Sequence, residues 1–213
     1  MAEYKLAVIP GDGVGPEVVA EGVKVLEAVA ASAEGLSFRY TQYPWGSAYY
    51  RETGRMMPED GLEQLAQHDA ILFGAVGDPN IPDHITLQGL LLPMRRGFDQ
   101  GVSIRPAYLH PGVRSPLAGK KPGEIDLVIF RENTEGEYAP VGGRLYQGTT
   151  HETVVQSNVF TRRGTERIIR AAFEHCVRRH RLQDLPAFGY HLGADAISWD
   201  DCQLVLRHRC SFP

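Results

Sequence analysis

The chain opens with a short apolar run, a glycine-rich turn and a segment with helical periodicity. Residues 6–9 are all apolar, as in a strand buried in a parallel sheet, and residues 11–15 contain three glycines. Pro16 follows the turn at a first helical position, where proline is best tolerated. The residues that then recur at helical spacing are Val18, Val19, Gly22, Val23, Leu26 and Val29. The pattern predicts a strand, a turn and a helix.

The alternation of strand and helix patterns continues to about residue 98. Residues 36–43 and 70–73 are further strand candidates, and residues 59–67 form a short helix between them. Another helix is expected through residues 90–92 to Phe98, after a loop rich in glycine and proline at residues 74–79. Strands that alternate with helices in this way predict an α/β fold with a mostly parallel sheet.

The second half of the chain has a different pattern. Residues 125–130 are a strand candidate that ends directly at Arg131. Residues 142–157 hold two polar, alternating runs around Gly148, which predicts an antiparallel arm or hairpin. Thr161 is a candidate cap for the next helix. The apolar positions expected on one face of this helix are Ile168, Ile169, Ala172, Phe173, Cys176 and Val177.

Composition narrows the class of protein. The 213 residues are 43% hydrophobic and 23% charged, as in an ordinary globular chain, and the net charge of −4 argues against a nucleic-acid or anionic-membrane partner. No apolar stretch approaches the roughly 18–20 residues that span a bilayer, and the N-terminus lacks the layout of a signal peptide. The three cysteines follow no ligand spacing, as in a reduced cytoplasmic protein. We therefore expect a soluble, cytoplasmic protein.

The glycine turn invites a dinucleotide-binding interpretation, because glycine lets a backbone approach a phosphate at a helix N-terminus. Its spacing, however, is G-x-G-x-G followed by Pro16, and the usual fingerprint has its third glycine one place later. Residues 41–44, at the end of the following strand, offer no carboxylate for ribose hydroxyls. The sequence favours a tight structural turn near the active cleft.

Three arginines and a tyrosine form the most informative constellation. Arg95 lies near the end of a helix, Arg105 precedes a proline, Arg131 ends a strand and Tyr138 follows seven residues later. Ends of strands and helices converge on clefts in α/β folds, and guanidinium groups bind carboxylates bidentately. Converging arginines suit a substrate with two carboxylates, and a tyrosine beside them is a candidate proton donor. Single arginines at such places are otherwise surface salt bridges.

Five segments, in order and spacing, resemble the isocitrate/isopropylmalate dehydrogenase family of β-decarboxylating dehydrogenases. They are residues 9–17, 74–77, 91–95, 104–107 and 131–138, within a resemblance that runs from residue 4 to about 182. The resemblance implies an isopropylmalate dehydrogenase-like two-domain α/β fold with a parallel or mixed sheet. Residues 1–99 would be the N-terminal part of the first, cofactor-side domain, and residues 100–184 the second domain with its dimerisation helix and arm. Residues 185–213 would be a divergent tail.

The resemblance also implies roles for single residues. Arg95, Arg105 and Arg131 would bind the malate moiety of the substrate, and Tyr138 would protonate the enolate after carbon dioxide leaves. Leu91 matches a position that is polar in isocitrate enzymes, so an apolar residue there disfavours isocitrate. Gln88 and Leu91 would determine substrate specificity. The residues implied on the cofactor side are Gly74, Val76 and Gly77.

Similarities of short segments to particular members of the family narrow the choice of substrate. Trp45 with Tyr49 and Tyr50, and residues 56–58, 82–86 and 160–164, look most like tartrate and D-malate dehydrogenases. Residues 89–92 and 111–113 instead resemble the 3-isopropylmalate enzymes of leucine biosynthesis. The resemblance implies oxidative decarboxylation of a (2R)-2-hydroxy dicarboxylate with NAD and Mg²⁺ or Mn²⁺, with D-malate or tartrate favoured and 3-isopropylmalate as the alternative.

The resemblance fails in the last part of the chain. The family's proton-abstracting lysine is expected near residues 187–192, but the chain has no lysine after Lys121. The family's aspartate metal ligands are expected further on, so no metal ligand is assigned here, and Asp195, Asp200 and Asp201 are expected at the surface. We expect that the back part of the enzyme is missing. The alternative to an enzyme is then an inactive fragment that binds a dicarboxylate or pairs with another subunit, and a homodimer through residues 142–180 is expected.

Overall fold

The computed structural model describes residues 2–179 and 203–207. The chain divides between Phe98 and Asp99 into two compact units. The first unit contains the glycine turn, and the second contains the strand that ends near Arg131. Among the described residues, no helix is both long enough and apolar enough to cross a membrane.

The first unit is built on a three-stranded parallel sheet in the order β2-β1-β3. Its strands are β1 (Ala2–Gly11), β2 (Leu36–Gln42) and β3 (Ala70–Ala75). The central strand β1 buries its four consecutive apolar residues at positions 6–9, as the sequence pattern predicts for a strand covered on both faces. Helix α1 (Gly15–Ser32) follows the glycine turn with Pro16 in its first turn.

Short helices complete the first unit: α2 (Ser47–Thr53), α3 (Gly61–Leu65), α4 (Asp83–Thr86) and α5 (Leu92–Gly97). A π-helical turn, Leu87–Leu91, separates α4 from α5. It ends two residues before Pro93, which has no backbone N–H to continue an ordinary helical ladder. The helix expected through residues 90–92 is therefore interrupted. The core residues of this unit are Ala7, Ile9, Trp45, Met56, Leu65, Leu90 and Met94.

The second unit holds an antiparallel sheet in the order β4-β5-β8. Its strands are β4 (Val102–Tyr108), β5 (Asp126–Glu132) and β8 (Gln203–Arg207), and a hairpin pairs β6 (Gly142–Leu145) with β7 (Thr153–Gln156). Helix α6 spans Arg162–Arg179. Val128 and Phe130 on one face of β5 pack against Ile168 and Ala172 of α6. Helix α6 therefore covers the face of the sheet that carries Val128 and Phe130, and the opposite face is not covered by this helix.

One strand of the second unit was not expected from the sequence. Strand β4 was not recognised because it contains Pro106, which is tolerated since β4 lies at the sheet edge. The apolar face expected on α6 is present: Ile168 and Ala172 are buried against β5, whereas Phe173 is 39% exposed. Most of the tail expected over residues 185–213 lies outside the described residues, as do residues 187–192, Asp195, Asp200 and Asp201. Its described part, residues 203–207, pairs with β5 as a strand.

Candidate active site

Arg105 and Arg131 lie on the same face of the β4–β5 ladder. Arg131 is directly opposite Ser103, and Arg105 follows Ser103 by two residues on the same strand. Residues opposite one another, and residues two apart on one strand, point to the same side of a sheet. The buried Phe130, next to Arg131, points to the other side, toward α6. The two guanidinium groups therefore share the face that α6 does not cover.

The strand register brings the two arginines close together. They occupy diagonal positions of an antiparallel pair, which are about 7–8 Å apart and within reach of long side chains. Ser103 lies between them, and its hydroxyl accepts a hydrogen bond of 3.4 Å from Arg105 Nε. Arg105 is exposed and Arg131 is half-buried. Two cations on an open face are suited to bind an anion with more than one carboxylate.

Tyr138 lies next to Arg131. The guanidinium carbon of Arg131 is 5.1 Å from the centroid of the Tyr138 ring. The chain between them turns at Gly136, whose positive φ of +73° favours glycine. The turn closes directly after Tyr138, where the Ala139 N–H donates to the Gly136 carbonyl at 3.1 Å. The structure thus brings together Arg105, Arg131 and Tyr138.

The remaining predicted substrate residues are in the first unit. Arg95 is half-buried in α5, one turn after Leu91, which ends the π-helical turn and packs against the core of its unit. Gln88 lies in the same π-helical turn with an exposed side chain. Such turns frequently occur at functional sites, because the wider ring re-aims the residues on it. The roles of Arg95, Leu91 and Gln88 stay predictions.

A buried carboxylate supports the chain directly after Arg131. Glu132 accepts hydrogen bonds from the N–H groups of Thr134 (2.9 Å) and Glu135 (2.6 Å), and from the Thr134 hydroxyl (2.8 Å). Arg167 of α6 donates to it at 3.2 Å. Burial raises the pKa of Glu132, but the hydrogen bonds from Thr134, Glu135 and the Asn133 backbone outweigh burial and hold the pKa below its ordinary value. Glu132 is therefore an ionised carboxylate whose hydrogen bonds join the loop after Arg131 to α6.

A second carboxylate links the same loop to the start of α6. Glu135 accepts hydrogen bonds from the backbone N–H of Thr161 at 2.7 Å and from its hydroxyl at 2.6 Å. The Thr161 hydroxyl in turn accepts from the Gly164 N–H at 3.0 Å, so Thr161 caps the helix as the sequence predicts. The chain before Tyr138 is thus anchored on two turns of α6.

In the first unit, the glycine turn and the loop after β3 are packed backbone to backbone. A side chain at Gly11 would meet the Ala75 carbonyl, and one at Gly74 would meet the Pro10 carbonyl. Asp12 accepts hydrogen bonds from the Ser47 N–H and hydroxyl, both at 2.7 Å, and from the Gly77 N–H at 3.0 Å. The turn therefore has a structural role, which agrees with its departure from a dinucleotide fingerprint.

The predicted cofactor residues already serve this packing. Gly74 lacks a side chain because Pro10 occupies the space, and Val76 packs against the core of the unit. The N–H of Gly77 is engaged by Asp12. These internal roles explain all three residues without a cofactor, so the geometry adds no support to the assignment of Gly74, Val76 and Gly77, which stays a prediction.

The described residues contain no assembled metal site. Among them, no three side chains of the types His, Cys, Asp or Glu come together in a group that could hold an ion. The described residues therefore do not fit a divalent metal, and no step of the chemistry is derived through one.

Two supporting residues were missed by sequence reasoning. The sequence analysis assigned no role to Glu132 and Glu135, because their partners Arg167 and Thr161 are 35 and 26 residues away. Gly164 stands three residues after Thr161, where a capping box has a glutamate. The sequence thus shows that the usual box is absent, but not that Glu135 contacts Thr161.

Comparison with known proteins identifies the family. The model of the family described as isocitrate/isopropylmalate dehydrogenase matches residues 5–184. The chain belongs to this family, which confirms the resemblance inferred from the five sequence segments.

Individual relatives support the same conclusion. D-malate dehydrogenase (decarboxylating) of Escherichia coli strain K12 is 55% identical over 85% of this chain and 50% of its own length. Tartrate dehydrogenase/decarboxylase of Pseudomonas putida is 52% identical, covering 84% of this chain and 49% of that protein. 3-Isopropylmalate dehydrogenase of Thermobifida fusca strain YX is 52% identical, covering 84% and 51%. The chain spans about half the length of the curated relatives it matches.

Solved structures confirm the fold. A β-decarboxylating dehydrogenase from Thermococcus kodakarensis in its apo form superposes with a TM-score of 0.54 at 33% identity, over 83% of this chain and 46% of that chain. Isocitrate dehydrogenase from Methylococcus capsulatus superposes with a TM-score of 0.64 at 28% identity, over 84% and 48%. The isopropylmalate dehydrogenase-like α/β fold is thus confirmed.

Proposed function

We propose that the chain carries the substrate-binding part of an NAD- and divalent-metal-dependent enzyme that oxidatively decarboxylates a (2R)-2-hydroxy dicarboxylate of the D-malate or tartrate type. The observation that carries the proposal is the placement of Arg105 and Arg131 on the strand face that α6 does not cover, with Tyr138 beside Arg131. The names of the most similar relatives support the choice of substrate.

In the proposed reaction, this chain contributes binding and proton delivery. Arg105 and Arg131 bind carboxylates of the dianion through paired N–H donors, and their charge stabilises the enolate that remains after carbon dioxide leaves. Tyr138, whose ring lies beside Arg131, donates the proton of its hydroxyl to the enolate carbon. Arg95 joins them on the substrate in this proposal, with Gln88 and Leu91 selecting among dicarboxylates. In this proposal NAD would supply the hydride acceptor, and Mg²⁺ or Mn²⁺ would be the metal.

A second candidate substrate is 3-isopropylmalate. It is supported by 52% identity to the Thermobifida fusca enzyme of that name, similar to the identity with the tartrate enzyme. The apolar Leu91, half-buried against the core, is compatible with an alkyl substituent on the substrate. The two candidates share the malate moiety that the arginines would bind, so they differ only in what contacts the substituent.

The third candidate is a chain that binds without turnover or pairs with another subunit. Residues 122–213 contain no lysine to act as the family's base. We infer that the 213-residue chain alone does not reduce NAD, that it is cytoplasmic and that it pairs as a homodimer. Its partners would be a small dicarboxylate and a second subunit.

Calorimetric titration of the purified chain with D-malate, tartrate and 3-isopropylmalate, followed by assays for NADH with Mg²⁺ or Mn²⁺, tests these candidates. We expect D-malate or tartrate to bind more tightly than 3-isopropylmalate, without NADH formation. Tighter binding of 3-isopropylmalate would favour the second candidate. Substrate-dependent NADH formation would refute the inferred inactivity, and no binding of any dicarboxylate would refute the proposed site.

A further inference from the structure

The segment that carries Tyr138, residues 133–141 between β5 and β6, is attached to α6 by side chains whose role goes beyond packing. We propose that Glu135 and Thr161 are positioning residues, which set the place of Tyr138 beside Arg131 by building a helix cap from two distant segments. The inference rests on the proposed function, in which Tyr138 is the proton donor.

The cap at the start of α6 is a capping box with one member displaced. In the usual box, the hydroxyl of the N-cap residue accepts from the third helical N–H, and a glutamate at that third position accepts from the N-cap N–H. Here Thr161 makes the first bond, to Gly164 at 3.0 Å, but Gly164 has no side chain for the second. Glu135 supplies it, accepting the Thr161 N–H at 2.7 Å.

Gly164 makes room for this displaced carboxylate. A Cβ at Gly164 would lie 2.5 Å from Glu135 Oε2 and 2.7 Å from its carboxyl carbon, closer than van der Waals contact allows. Glycine is otherwise unfavourable inside a helix. Gly164 is therefore a poor helix former at the third position of α6, but it leaves the space that the Glu135 carboxylate occupies.

The cap is coupled to Tyr138 through the short chain that follows Glu135. The N–H of Gly136 donates to the carbonyl of Val159 at 2.8 Å, two residues before Thr161. Tyr138 lies in the turn from Gly136 to Ala139. This turn therefore begins beside two residues, Glu135 and Gly136, that are hydrogen-bonded to the chain leading into α6. Arg131 is linked to the same helix, because its neighbour Glu132 accepts a hydrogen bond from Arg167 of α6. One helix therefore aligns the arginine and the tyrosine.

Two variants break the cap in different ways. Thr161→Val removes the hydroxyl that bonds to Glu135 and Gly164 at nearly constant shape, and Thr161→Ser restores it. Gly164→Ala displaces the flexible Glu135 carboxylate while it improves the helix, so loss of fold does not explain its effect. The matched control is Glu166→Gln, which breaks the exposed ion pair of Glu166 with Arg162 on the same helix without touching residues 133–141.

The ligand-free readout is the fluorine NMR spectrum of the full chain labelled with 3-fluorotyrosine. The chain has nine tyrosines, and the spectrum of Tyr138→Phe identifies the Tyr138 resonance. We expect this resonance to shift or broaden in Thr161→Val and Gly164→Ala, and to keep its wild-type position in Thr161→Ser and Glu166→Gln. An unchanged Tyr138 resonance in folded Thr161→Val and Gly164→Ala would overturn the inference.

Binding of tartrate, measured by calorimetry, gives the functional readout. We expect roughly tenfold weaker binding in Thr161→Val and Gly164→Ala, since small displacements of positioned groups have effects of this order, and recovery in Thr161→Ser. If the wild-type chain binds no dicarboxylate, the proposed function fails while the fluorine spectra still decide the positioning role. If the wild-type chain binds tartrate and all variants bind it equally, the positioning role is wrong and the proposed function stands.

Discussion

The guanidinium carbon of Arg131 lies 5.1 Å from the centroid of the Tyr138 ring, seven residues further along the chain. A cation–π contact of this kind contributes only about 0.5–1 kcal/mol near a protein surface. The hydrogen bonds of Glu132 and Glu135 to the loop and to α6 are more numerous and involve ionised groups. These bonds, rather than the contact itself, keep the tyrosine beside the arginine.

The first prediction concerns acid stability and Glu132. Its pKa is lowered in the fold, so its carboxylate stabilises the folded state above the ordinary glutamate pKa, and this contribution is lost as the pH falls below about 4. Glu132→Gln should lower stability by about 1.5–3 kcal/mol at neutral pH, because buried donors lose an ionised acceptor. Thermal unfolding of both proteins between neutral pH and pH 3 measures this.

The difference between the two proteins is the informative quantity. Asp99, whose pKa is lowered chiefly by its hydrogen bond from Arg167, titrates in both and contributes to both curves. We expect the wild-type melting temperature to approach that of Glu132→Gln as the pH falls. If the melting temperatures of the two proteins differ by the same amount at every pH in the acid range, the ionised carboxylate of Glu132 does not stabilise the fold.

The second prediction separates a packing role of Gly74 from a cofactor role. A methyl group at Gly74 would meet the carbonyl of Pro10 and the backbone of Gly15, and backbone atoms cannot move aside cheaply. Gly74→Ala should therefore destabilise the first unit by at least about 2 kcal/mol, the range of severe local clashes. Chemical denaturation monitored by fluorescence measures this loss.

The matched control is Gly22→Ala in α1. A methyl group there would only touch Leu72 at 3.7 Å, and alanine is the better helix former, so we expect a gain of about 0.5–1 kcal/mol. If Gly74→Ala unfolds like the wild-type chain but binds NAD more weakly, Gly74 serves a cofactor and the packing interpretation is wrong.

The third prediction concerns the hairpin and the proposed dimer. Every residue from 141 to 156 is exposed, including Leu145 at 58%, Val154 at 61% and Val155 at 49%. An isolated hairpin is marginal in water, so we expect it to be covered by a second copy. Sedimentation velocity at micromolar concentration should show a dimer, and serine at these three positions should convert it to a monomer.

Serine at Val113 and Leu117 is the control for that experiment. These residues are similarly exposed, at 58% and 57%, but lie in a loop of the same unit outside the hairpin. The control should remain dimeric. A folded wild-type monomer, or a dimer that is insensitive to the hairpin substitutions, would show that the hairpin is not the interface.

The sequence predicted the features that depend on local patterns. The run at residues 6–9, the turn and α1 follow from adjacent residues, and the hairpin at 142–156 follows from its alternation. Strand β4 was missed because Pro106 contradicts a strand unless the strand is known to be an edge. The convergence of Arg105 and Arg131 was expected only from the family resemblance, because a slip of one residue in the strand register would separate them and local patterns do not set that register.

The most direct test of the account is the affinity of the 213-residue chain for a dicarboxylate when its two aligned arginines are changed. Arg105→Lys and Arg131→Lys keep the charge but remove the planar fork that binds carboxylates bidentately. Arg39→Lys is the control, because Arg39 forms an exposed ion pair with Glu3 in the other unit. Calorimetric titrations with tartrate and with the monocarboxylate lactate complete the comparison.

We expect tartrate to bind more tightly than lactate, and each substitution at Arg105 or Arg131 to weaken tartrate binding by roughly tenfold, about 1.4 kcal/mol. Arg39→Lys should bind like the wild-type chain. Equal affinities for tartrate and lactate, or tartrate binding that is unchanged in both Arg105→Lys and Arg131→Lys, would contradict a dicarboxylate site on this strand face.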